Sequence, residues 1–114
     1  MEKKEDLVAE SMEWVLRLLK EGYNIADIDQ PYDGILRLRL KIPPKHAILK
    51  HLHYLYIDEK TGYLVSLVKG SIITFDKYEI FDGERLFRDV ERYDTLEEAE
   101  KRIIELVKEV REKR

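Results

Sequence analysis

The chain is expected to fold as one α+β domain spanning residues 1–114. The predicted order is an N-terminal helix, an antiparallel meander of four or five strands and a C-terminal helix, with both helices on one face of the sheet. Three observations lead there. Apolar residues recur at helical spacing near the start and again after Thr95. Between these segments the period shortens to two, most cleanly where Leu36, Leu38, Leu40 and Ile42 alternate with Arg37, Arg39 and Lys41. Turn residues punctuate the apolar runs at short intervals, and two helices covering one face of a twisted sheet is an economical packing.

The first helix is predicted over about Lys4–Lys20, because Val8, Met12, Val15 and Leu19 fall on one line beside Leu7, Ser11, Trp14 and Leu18. Leu16 lies at the far margin, so the apolar stripe is wider than the roughly 100° of an ordinary surface helix. Burial against a sheet or against a partner's helix accounts for that width. Gly22 is the expected stop. Asn24–Gly34 reads as a loop, and its Asp27, Asp29 and Asp33 as a solvated turn, since the glycine and the final glutamate of a calcium loop are missing.

Ile35–Ile42 is the first strand, ended by Pro43 and Pro44. A short helical turn at Lys45–Lys50 accepts Pro44 at its first position. A second strand follows over Leu52–Asp58, and Asp58 to Tyr63 forms a hairpin in which Gly62 supplies positive φ. That register gathers Tyr54, Tyr56, Tyr63, Val65 and Leu67 on one face, and His53, Leu55, Ile57, Leu64, Ser66 and Val68 on the other. A turn at Lys69–Ser71 leads to a strand over Ile72–Phe81, Asp82-Gly83 signals a hairpin, and Leu86–Glu91 is a weaker strand. Thr95 with Glu98 marks the start of the last helix, whose apolar line is Leu96, Ala99, Ile103, Leu106, Val107 and Val110.

Composition excludes more than it identifies. Without cysteine there are no disulfides, thiolate nucleophiles or zinc-thiolate sites. No apolar run is long enough to cross a bilayer, and the charged start is no signal peptide, so a soluble cytoplasmic protein with no membrane partner is expected. Charged residues make up 39% of the chain while Asn and Gln occur once each, a bias that points to a heat-adapted microbial or archaeal source, whose proteins use ion-pair networks and avoid thermolabile amides. No serine sits in a nucleophile elbow and no glycine-rich phosphate loop occurs, so no catalytic residue and no cofactor is assigned. His51 and His53 have a spacing found in metal sites, but a third ligand is missing and no metal is assigned.

One stretch departs from the overall charge. Gly34–Ile57 contains no acid and carries Arg37, Arg39, Lys41, Lys45 and Lys50, leaving −8 for the remainder of a chain whose net charge is −3. If the helices cover the leucine face, the basic side chains share the open face with Tyr54, Tyr56 and Tyr63. Cations among flat rings suit single-stranded DNA or RNA, with phosphates on Arg37, Arg39, Lys41, Lys45 and Lys50, and bases on the tyrosines and His51. The alternative is a homodimer with no nucleic-acid role, formed through Leu7, Trp14, Leu16 and Leu18 or through Val65, Leu67 and Ile72. A third reading places an anionic small molecule in a pocket near His51 and His53.

Overall fold

A computed structural model describes residues 4–70, 76–82 and 90–113. Helix α1 runs over Lys4–Lys20. It ends as the glycine signal requires: Gly22 has φ 101°, its N–H donates to Leu19 O at 3.0 Å, and Tyr23 N donates to Leu18 O at 3.1 Å. These two bonds satisfy carbonyls that the last turn would otherwise leave open.

The chain then departs from expectation. Asn24–Tyr32 is not a loop but the edge strand β1, paired antiparallel with β2 (Ile35–Lys41). Asp33 and Gly34 make the turn between Tyr32 and Ile35, with Gly34 at φ 77°. The strand lacks an apolar alternation because an edge strand needs no buried side, and every residue of β1 except Pro31 is exposed. The pairing shifts between Ile25 and Asp27 and again between Asp29 and Tyr32.

A four-residue helix α2 (Pro44–Ala47) follows, then β3 (Lys50–Asp58), β4 (Leu64–Gly70), β5 (Tyr78–Asp82), β6 (Glu91–Tyr93) and helix α3 (Leu96–Glu112). Among the described residues, six strands lie in chain order in one antiparallel sheet. Six replace the four or five expected, the additional edge being β1. The β3–β4 hairpin has the anticipated register: Asp58 N donates to Tyr63 O at 2.8 Å and Gly62 has φ 81°. The expected turn at Ser71, the start of the strand at Ile72, the hairpin at Gly83 and most of Leu86–Glu91 fall outside the described residues.

The helices do not share a face. Leu18 of α1 packs with Leu38, Leu40, Leu55 and Leu64, whereas Ala99, Ile103, Leu106 and Val107 of α3 pack with Ile35, Tyr56, Val65, Leu67 and Ile80. Leu55 and Tyr56 are neighbours on β3, and successive strand residues point to opposite sides. The sheet is therefore covered on both faces, α1 on the leucine side and α3 on the tyrosine side. Both faces of the β3–β4 hairpin are apolar, so each needs a cover.

Hydrogen bonds fix α3 at both ends. Thr95 Oγ1 accepts from Glu98 N at 3.2 Å. Near the other end, Arg111 Nη2 donates to Asp58 Oδ1 at 2.6 Å and Thr61 Oγ1 donates to Asp58 Oδ2 at 2.7 Å. Burial pushes the Asp58 carboxyl up, but Arg111 and Thr61 more than offset it, and its pKa falls below the usual value.

Candidate functional site

The basic strand and its tyrosines were the expected site. Arg37 projects from β2 toward α3. Its Nη1 donates to Glu100 Oε2 at 2.7 Å, its Nε donates to Asp29 Oδ1 at 3.0 Å, and its guanidinium lies 5.0 Å from the centre of the Tyr54 ring. Asp29 first, and then Glu100, hold the guanidinium pKa far above its ordinary value, while burial opposes them. Asp29 in turn is lowered by Arg37. Arg37 is thus committed to two carboxylates supplied by β1 and α3.

The tyrosines are divided. Tyr56 is 1% exposed beneath α3 and donates to Glu100 Oε2 at 2.5 Å. Burial, and then Glu100, push its hydroxyl pKa well above the normal range. Tyr63 is buried in the same cluster and donates to Asp82 Oδ2 at 2.8 Å. Tyr54 is half-buried and packs edge-on against Tyr56, with centroids 6.2 Å apart. The stacking role expected of Tyr56 and Tyr63 is therefore corrected: the rings are filled against α3 and expose no face to a base.

Arg39 and Lys41 on β2 and Lys45 on α2 remain exposed. Arg39 lies directly opposite Asp27 in the β1–β2 register. His51 is exposed, its Nε2 3.6 Å from Asp76 Oδ1. A stretch without acids in sequence is consequently faced by Asp27, Asp29, Asp76 and Glu100 in space. Two signals pointed to β1: the Asp33-Gly34 dipeptide, and the spacing that puts Asp29 and Asp27 across from Arg37 and Arg39 once a hairpin forms there.

Lys50 and the other histidines form a separate network at the α2 end of the sheet. Lys50 Nζ donates to Tyr23 OH at 2.5 Å, and the Tyr23 hydroxyl lies 3.0 Å from His46 Nδ1. His53 is 3% exposed, sits edge-on to Tyr23 at 5.3 Å, and pairs through Nε2 with Ser66 Oγ at 2.5 Å. Burial, and to a lesser degree the charge of Lys50, pull the His53 pKa down to about 3. A serine beside a neutral histidine resembles a nucleophile and its base. Here both are buried, so no substrate reaches Ser66, and among the described residues His53 Nδ1 has no partner to orient the ring. Among the described residues no group of three His, Asp or Glu is placed to hold a metal ion, and no helix is long and apolar enough to cross a membrane.

The remaining feature is the outer side of α1. Ser11, Trp14, Val15 and Leu18 face inward, Ser11 Oγ donating to Gly62 O at 2.6 Å. Met12, Leu16 and Leu19 form a second row, 59%, 52% and 43% exposed. Beside that row lies an apolar cavity of about 280 Å³ lined by Ser11, Met12, Val15, Leu16, Ile57 and Gly62. Of the side chains expected at a dimer contact, Trp14 and Leu18 instead pack on the sheet, Val65 and Leu67 lie beneath α3, and Ile72 is outside the described residues. Leu16 is placed outward, and the side chain of Leu7 lies outside what the structure describes.

No family model, curated protein or solved structure matches the chain.

Proposed function

We propose that the protein is an interaction module that self-associates through the outer side of α1, without an enzymatic role. The exposed Met12–Leu16–Leu19 row beside an apolar cavity carries this reading. One side of α1 already packs on the sheet, and the second row is left about half exposed in a single chain. Apolar side chains spaced to form a continuous exposed line mark contact surfaces more often than scattered ones do. The other long exposed element, β1, is poorly suited to strand addition, because Pro31 and two register shifts interrupt its outer edge. Sedimentation over a wide concentration range tests the reading. The native chain should approach twice its monomer mass, and Leu16→Glu should remain monomeric. A native chain that stays monomeric throughout removes the proposal.

Single-stranded nucleic acid retains a narrower basis: exposed Arg39, opposite the half-buried Tyr54 in the β2–β3 register, together with exposed Lys41 and Lys45. Three phosphates on these groups would give log affinity against log salt a slope of about −2. Binding of that steepness, lost in Arg39→Glu with Lys41→Glu, would restore this reading over the first.

A further inference from the structure

We infer that the occupant of the α1 surface is α1 of a second copy, the two helices packed antiparallel about a two-fold axis beside Leu16. This rests on the self-association proposed above and specifies its geometry. At about 100° per residue, the Met12–Leu16–Leu19 row lies about 120° round the helix from the line that faces the sheet. The row therefore points sideways and somewhat away from the sheet, so a second helix can lie along it with its own sheet on the far side. A two-fold axis makes the contact self-complementary: the same patch serves both copies. Leu16 then meets its counterpart, and Met12 comes opposite the partner's Leu19. The cavity beside Leu16 gives the apolar side chains of the other copy a place to seat.

Charge selects the antiparallel direction. Glu13 and Lys20 are exposed on one flank of the row, and among the described residues neither forms an ion pair. In an antiparallel pair Glu13 comes opposite the partner's Lys20, and the two-fold repeats that contact. A parallel two-fold pair would turn this flank toward the opposite flank of the partner helix, so neither Glu13 nor Lys20 would meet the other's charge. A second copy thus brings the matching pattern without any further requirement on its surface.

The absence of cysteine makes the arrangement directly testable with single introduced thiols and a short bismaleimide. Leu16→Cys should cross-link to itself. Met12→Cys and Leu19→Cys should cross-link poorly alone and efficiently when mixed. Glu13→Lys and Lys20→Glu should each weaken self-association about tenfold, and the double exchange should restore it. A dimer in which Met12→Cys and Leu19→Cys each cross-link to themselves overturns the antiparallel geometry while leaving self-association standing. A dimer that no cross-link or charge exchange affects places the contact elsewhere and also overturns it. A native chain that is monomeric at every concentration removes both inferences.

Discussion

Arg37 and Arg39 are two residues apart on one strand and have different work. Arg37 links Asp29, Glu100 and the Tyr54 ring, whereas Arg39 is exposed. Arg37→Met should destabilise the fold by about 1–3 kcal/mol, since it leaves the buried Glu100 carboxylate without its opposite charge, while Arg39→Met should stay within about 0.5 kcal/mol. Urea denaturation of the two variants side by side separates them. His53 provides a pH test. Its folded pKa, about 3, lies below the ordinary value of 6.5, so between those limits the unfolded chain binds the proton and the native chain does not. Stability from this group is complete above pH 6.5 and is lost as pH falls, by up to about 1.4 kcal/mol per unit. Unfolding free energies from pH 7 to pH 5 should show that slope in the native chain, and a smaller one in His53→Gln.

At the scale of elements, the helices and the central hairpin were legible because local rules act on them directly. Gly22 stops α1, Gly62 turns the hairpin and Thr95 caps α3, each through bonds within a few residues. Gly22→Ala tests the first of these. The new side chain would sit at φ 101°, with its Cβ 3.3 Å from Pro43 Cβ, and should cost about 1–2 kcal/mol. A lowered denaturation midpoint with an unchanged slope would report it; an unaltered midpoint would mean that the α1 end relaxes without loss. Strand β1 was missed for an equally local reason. Its side chains are exposed on both sides, so the period-2 pattern that reveals a half-buried strand is absent, and the hairpin shows only in the Asp33-Gly34 turn and in the spacing of Asp27 and Asp29 against Arg39 and Arg37.

For the whole molecule, the assignment of faces decides what the surface offers. With α3 over the tyrosine face, Tyr56 and Tyr63 become core, and Glu100 reaches Arg37. With α1 over the leucine face, Met12, Leu16 and Leu19 are left outward as the exposed apolar row. If that row joins two copies, the folded dimer is favoured by mass action and the melting temperature should rise with protein concentration. Calorimetry at several concentrations checks this, and the dependence should vanish in Leu16→Glu. A melting temperature independent of concentration in the native chain would speak for a monomer.

The amino-acid sequence by itself determined where α1 and α3 run, the register of the β3–β4 hairpin, and which side chains of β3 and β4 share a face, because periodicity and turn chemistry are properties of neighbouring residues. Only the tertiary structure decided which helix covers which face, and that acids distant along the chain, Asp29 and Glu100, meet Arg37. A hairpin with two apolar faces specifies that both be covered, but not by which helix; that choice depends on how chain segments far apart in sequence fit together in space.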